Sequence, residues 1–312
     1  MRKVLGWVGR VLLTSGILLL LFVAYQLWGT GIYEARQQDQ LSSEFDQTVR
    51  QNRGSGASTD PTISAPGTTL VPATTTALAP APLPPNGEAV AKIDIPRIGV
   101  SKVVVEGIDV ADLRAGPGRY PATALPGHEG NVGIAGHRTT YGAPFGDLDQ
   151  LAAGDEITVT SLEGTAYRYR VSQGPFVVDP SASEVLLPEA DPSRPARFLA
   201  TLTLTTCHPK YSAAERLIVR AALVLPPGQL PLPPTTVDNG AAKASIAGLE
   251  GDTGSRTPTV FWGLIAALVG GMWWFLFHRY KNWYAWIAGA IPFVIVLFVF
   301  YTFLERLLPS NY

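Results

Sequence analysis

A chain of 312 residues has room for one or two domains, yet only 16% of its residues are charged against 46% apolar, so part of it belongs in lipid. The formal net charge of −1 gives no clustered basic face, and no nucleic-acid partner is expected. A single cysteine, Cys207, excludes an intramolecular disulfide framework.

Val4 to Trp28 is almost entirely apolar, long enough to span a bilayer, and is followed by no small-x-small cleavage site. It is predicted to be an uncleaved signal anchor, residues 1–30 with their cytoplasmic tip. Residues 31–87 are predicted to be a juxtamembrane segment and a stalk. The stalk begins at Gln51, where Thr, Ala, Pro, Ser and Gly without a hydrophobic period predict disorder through Gly87. As a flexible coil its ends would stand ~30–35 Å apart.

From Glu88 to Leu225 apolar residues alternate, the pattern of half-buried strands. Strands are predicted at Ala89–Ile95, Ser101–Val105, Asn131–Gly136, Glu156–Thr160, Ala166–Ser172, Arg197–Thr206 and Leu217–Leu225. Short helical turns are expected near Val110–Arg114 and Pro144–Leu151. Many short strands with little helix make the fold mostly β, a closed barrel or a sandwich. Residues 226–258 read as a linker and 259–304 as a transmembrane hairpin, with Thr259–Phe277 and Tyr284–Phe303 each about one bilayer long. Residues 305–312 would be a short outer tail. Arg2, Lys3 and Arg10 at one end, and Arg279 and Lys281 between the last two spans, place the N-terminus and that loop inside. Three spans then put 88–225 outside the cell.

The chemistry concentrates in three strands. Side chains alternate faces along a strand, so Phe198, Leu202 and Leu204 share one face while Thr201, Thr203, Thr205 and Cys207 share the other. Cys207 therefore lies on the hydroxyl-lined side, an unusual place for an inert core thiol. By the same parity His137 lies opposite Val132 and Ile134, on a face of small residues with Asn131, Gly133 and Ala135. Arg216 lies opposite Leu217 and Val219. A thiol becomes a good nucleophile once ionised, and a neighbouring imidazole or guanidinium favours the thiolate. The imidazole can protonate a leaving amine, and the guanidinium can hold an oxyanion. His208 adjoins the nucleophile on the opposite face and reads as structural. Arg220 reads as a solvated strand arginine and His128 as a loop residue. His128, His137, Cys207 and His208 match no compact zinc-ligand spacing, so neither metal nor cofactor is expected.

Thr203-Leu204-Thr205-Thr206-Cys207 matches the TLxTC signature of sortases. Glu215-Arg216-Leu217-Ile218-Val219 is similar to their catalytic-arginine strand, and Gly133-Ile134-Ala135-Gly136-His137-Arg138 resembles their catalytic-histidine segment. Gly116-Pro117-Gly118-Arg119-Tyr120-Pro121 and Cys207-His208-Pro209 are most similar to class E sortases of high-GC Gram-positive bacteria. The resemblance covers about Ala89 to Leu225 and implies an eight-stranded barrel. It implies a cysteine transpeptidase that cuts a Leu-Pro/Ala-x-Thr-Gly signal between Thr and Gly. The acyl group would pass from surface proteins to an amine of a peptidoglycan precursor or pilin. It also implies a substrate contact from Thr206, and Thr205 is expected to bind substrate with it. Tyr120, after a Gly-Pro-Gly turn, is expected to line the groove and select Ala or Pro, and Thr139, Thr140 and Tyr141, which follow His137, to shape the same wall. The two C-terminal spans exceed the single anchor usual in that family. The same three residues would serve a hydrolytic cysteine peptidase, and a non-catalytic surface binding module is the third reading.

Overall fold

The computed structural model describes residues 2–56, 83–194, 196–235, 256–277 and 283–306. Most of the expected stalk and linker, the basic loop His278–Lys281 and the tail beyond residue 306 lie outside the described residues.

Helix α1 (Arg2–Ala24) runs through a π-turn at Tyr25–Gly29 into α2 (Thr30–Gly56). There follow β1 (Ala89–Ile95), β2 (Val100–Glu106), α3 (Val110–Ala115), β3 (Gly118–Arg119), β4 (Gly130–Ala135), β5 (Glu156–Ser161), β6 (Ala166–Val178), β7 (Ala200–His208) and β8 (Glu215–Leu223). The chain ends with α4 (Arg256–Phe277) and α5 (Trp283–Arg306). The strands close into a barrel in the order β1-β2-β3-β4-β7-β8-β6-β5. The pairs β2–β3 and β4–β7 are parallel and the others antiparallel. The mostly β fold with eight strands and short helices is thus as expected.

Alternation explains the closure. Ile93, Ile95, Ile157, Val159, Leu202, Leu204 and Val219 are inward residues of their strands and form one buried cluster with Phe145, Leu148 and Tyr169. Closure leaves no free sheet edge. Phe198 does not belong to this set. Regular pairing of β7 starts at Ala200, and Phe198 sits in an isolated bridge to Ala190 with its ring partly exposed. Strand parity cannot be extended back through that irregular stretch. The turn expected over Pro144–Leu151 narrows to a 3₁₀ turn at Leu148–Gln150.

The larger difference is α2, which continues through Gln51–Gly56, residues the composition assigned to the stalk. It is docked along the outside of the barrel. Thr30, Glu34, Gln38, Leu41 and Phe45 recur every three or four residues and are all buried, as one face of a helix requires. Leu41 and Phe45 pack on Val103, Val105 and Ala115. The Gln38 amide donates to Val103 O at 3.0 Å and Ala115 O at 2.8 Å and accepts from Val103 N at 2.8 Å. Glu34 pairs with Lys102 at 2.7 Å.

Among the described residues one helix is long and apolar enough to cross a bilayer, Thr257–Leu276 within α4. The apolar stretches Leu13–Ala24 of α1 and Ala290–Leu304 of α5 are shorter. Tyr301 Oη of α5 donates to Leu18 O of α1 at 2.6 Å. Rings of Phe22 and Tyr25 meet those of Tyr301 and Phe298 at 5.1 and 5.2 Å, so the two ends of the chain pack together.

Candidate active site

Cys207, His137 and Arg216 come together through strand register. In the antiparallel β7–β8 ladder Cys207 is the partner of Arg216. In the parallel β4–β7 ladder Ala135 is the partner of Thr205, and Gly136 N extends it by donating to Thr205 O at 3.1 Å. His137 and Cys207 then stand two residues beyond these partners.

Cys207 lies on the outer side of the barrel wall, away from Leu202 and Leu204. It packs with Leu113 of α3 and Ala135, next to Ile108, Tyr120 and Ala213. It is only 2% exposed, so the sulfur is covered from outside by α3 rather than standing at an open rim. Burial pushes its pKa up to about 11, while Arg216 and Arg138 pull it down. Arg216 Nη1 donates to Ala213 O at 3.0 Å and Glu215 O at 3.1 Å, which holds the guanidinium close to the β7–β8 turn. The His137 ring is buried, with Nδ1 3.3 Å from Thr140 Oγ1 and its centroid 5.1 Å from that of Tyr141.

Beside the thiol a pocket is lined by Tyr120, Ala135, Thr205, Thr206, Arg216 and Ile218 and covered by the segment 178–186. The threonine face is less open than its sequence suggests, because its hydroxyls are engaged within the protein. Thr205 Oγ1 lies 3.0 Å from Tyr120 Oη. Thr201 and Thr203 donate to Asn131 Oδ1 at 3.1 and 2.9 Å, and Asn131 Nδ2 donates to Val185 O in the cover at 3.1 Å. Thr206 points the other way and donates to Gly136 O at 2.8 Å. Its hydroxyl ties β7 to the His137 segment. Gly133 is needed for close packing, since a Cβ there would stand 2.9 Å from both Leu186 and Tyr120.

Arg138 was not singled out from sequence. Buried beside the site, its Nη1 donates to Cys207 O at 3.0 Å and lies 2.9 Å from His208 Nδ1. Its Nη2 pairs with Asp149 at 3.1 Å. His208 thus sits on the far side of the strand as a partner of Arg138. Arg220 is not simply solvated either: it pairs with Glu189 and lies over the Phe176 ring at 5.9 Å. His128 Nδ1 is 2.6 Å from Pro233 O, on a loop pinned by the segment after β8.

Residues 93–224 match the family described as the sortase domain. Over these residues the chain is a sortase domain. It is 30% identical over 227 residues to sortase SrtE1 of Streptomyces coelicolor, across 70% of this chain and 56% of that protein, so the match spans just over half of that relative. To sortase SrtE2 of the same organism it is 29% identical over 229 residues, covering 69% of this chain and 80% of that one. The solved structure of sortase E from Streptomyces avermitilis shares 40% identity, with a TM-score of 0.40, over 45% of this chain and 91% of that one. The class E resemblance of the motifs therefore agrees with the relatives' names.

Proposed function

We propose that this sortase is a membrane-anchored cysteine transpeptidase acting outside the cell on proteins that carry a C-terminal Leu-Pro/Ala-x-Thr-Gly signal. The observation that supports the reading is the register of β4, β7 and β8: Arg216 is the cross-strand partner of Cys207, the only cysteine, and His137 follows the end of β4, two residues beyond the partner of Thr205.

In this mechanism the Cys207 thiolate attacks the Thr–Gly carbonyl carbon, and the C=O electron pair moves onto oxygen. Arg216 donates hydrogen bonds to that oxyanion. Collapse breaks the C–N bond, and protonated His137 transfers its proton to the departing glycine nitrogen, which leaves a thioester. Neutral His137 then takes a proton from the incoming amine, of a peptidoglycan precursor or a pilin, as that nitrogen attacks the thioester. The new amide forms and the sulfur leaves as thiolate. Thr205, Thr206 and Tyr120 form the pocket wall that receives the signal. No metal or cofactor enters any step.

The proposed topology has three spans, α1, α4 and α5, with the N-terminus and the loop between α4 and α5 cytoplasmic. Residues 88–225 form the outer catalytic domain between the stalk and the linker. The contacts of Phe22 and Tyr25 with Phe298 and Tyr301 support it, because both pairs fall near the ends of α1 and α5 assigned to the outer leaflet.

The test uses full-length protein in membranes, a signal peptide and an excess of amine. Amide product that disappears in Cys207→Ala and His137→Ala supports transpeptidation. Hydrolysis without amide product points to a peptidase. Undiminished biological function of Cys207→Ala points to a binding module.

A further inference from the structure

Between the membrane-proximal end of α2 and the His137 ring lies one aromatic side chain, Tyr141. Its centroid is 5.1 Å from that of His137 and 6.2 Å from that of Tyr33 on α2, the latter in an edge-on arrangement at 80°. The Arg114 guanidinium lies over the same ring at 5.7 Å. Tyr141 is 6% exposed.

Its backbone is held from the same helix. Tyr141 N donates to Thr30 Oγ1 at 3.2 Å, and Thr30 Oγ1 donates to Gln26 O at 2.7 Å within the π-turn that joins α1 to α2. Tyr141 has φ +49°, a left-handed conformation that a residue with a bulky side chain keeps only where its surroundings impose it. The next residue, Gly142, has φ +71°, and a Cβ there would meet the Glu34 carboxylate at 2.5 Å. Thr30, Tyr33 and Glu34 occupy one turn of α2, and all three bear on Tyr141 or Gly142.

We infer that α2 is a positioning element of the active site, in which Thr30 and Tyr33 fix Tyr141 and Tyr141 fixes the orientation of the His137 imidazole. This rests on His137 being the acid/base group of the proposed function. An imidazole that must deliver a proton to nitrogen at one moment and take one at the next needs a fixed ring plane. The tilted contact with Tyr141, 36° between the ring planes, sets that plane. Tyr141 is fixed in turn by the helix that enters the membrane. The anchor arm is therefore part of what makes the site competent, in addition to tethering it.

The experiment compares full-length variants in membranes for transfer of a signal peptide to an amine. Tyr141→Leu is expected to lower kcat about tenfold with KM within about twofold, the signature of a misplaced reacting group. Tyr141→Phe, which keeps the ring, should recover most of kcat. Tyr33 is 47% exposed, so Tyr33→Leu is expected to fold normally and lower kcat in the same direction, by about threefold, and to add nothing in the Tyr141→Leu background. Should Tyr141→Leu fail to fold, Tyr33→Leu and Thr30→Ala carry the test. Unchanged kcat in Tyr33→Leu and Thr30→Ala, with His137→Ala inactive, overturns the role of α2 alone. Full activity of His137→Ala overturns the assignment on which it rests.

Discussion

Arg216 is the direct cross-strand partner of Cys207 in the β7–β8 ladder. Such partners project from the same face with Cβ atoms about 4.5–5.5 Å apart, so backbone pairing, not a mobile loop, sets the guanidinium against the thiol. Arg216→Lys keeps the charge and loses the planar fork. It is expected to lower kcat about 10²-fold, as loss of an oxyanion donor does. Peptide-transfer kinetics measure this, and activity above about a tenth of the parent would remove Arg216 from that role.

Burial raises the Cys207 thiol to about 11 against the pull of Arg216 and Arg138. Its alkylation by iodoacetamide should therefore still be rising well above neutral pH, and Arg138→Ala should move the inflection further up. The folded value lies above the unfolded one of about 8.5. The group's contribution to stability is thus fully present below the unfolded value and is lost as pH rises towards 11. Denaturant midpoints on the alkaline side should fall less steeply in Cys207→Ala. A thiol inflection below neutrality would contradict this picture.

Gln38→Ala removes one side chain that satisfies Val103 N, Val103 O and Ala115 O against the barrel. Leaving such groups without partners in a buried seam costs about 3 kcal/mol in all. The expected result is a lower thermal midpoint and faster proteolysis within α2. An unchanged midpoint would mean that the arm is not tightly seated.

Glu106 and Arg119 form a buried two-point ion pair, Nε to Oε2 at 2.7 Å and Nη2 to Oε1 at 2.6 Å, directly before Tyr120. Burial raises the Glu106 pKa, and Arg119 opposes the rise without cancelling it. Glu106→Gln leaves a buried cation without its counter-charge and is expected to cost about 3–5 kcal/mol. Unfolding in urea measures it, and a loss below about 1 kcal/mol would show that Arg119 finds another partner.

Period and parity were legible where a strand was regular and long enough to show them, but not in β6 beyond Ser172, where register shifts break the alternation. The bounds of β1, the outward side of Cys207 and the inward side of Thr206 all follow from alternation. Strand β3 has two residues and so no period to read. Helix α2 carries a full helical stripe, but Thr30, Glu34 and Gln38 are polar members of it and make hydrogen bonds rather than oily contacts, so hydropathy does not reveal the face. Arg138 could not be recognised as a clamp because Cys207 and His208 lie some 70 residues away in sequence. Only the β4–β7 pairing brings them together. The sequence put the threonines on the outer face with Cys207, but not the partners of their hydroxyls, Asn131 of β4 and Tyr120, which only the fold brings to them.

Asn52 and Arg53, near the end of α2, donate to Leu162 O at 3.0 Å and Gly164 O at 2.7 Å, and Gly87, just before β1, donates to Glu106 O at 2.7 Å. The Thr- and Pro-rich stretch between them therefore joins two points already fastened to the same body. In the proposed topology, lengthening or shortening it leaves the clearance between the proposed catalytic centre and lipid as it was. That height is set, in the same topology, where Thr30, at the start of α2, meets Tyr141 beside the site, and substrates must come to the level it dictates.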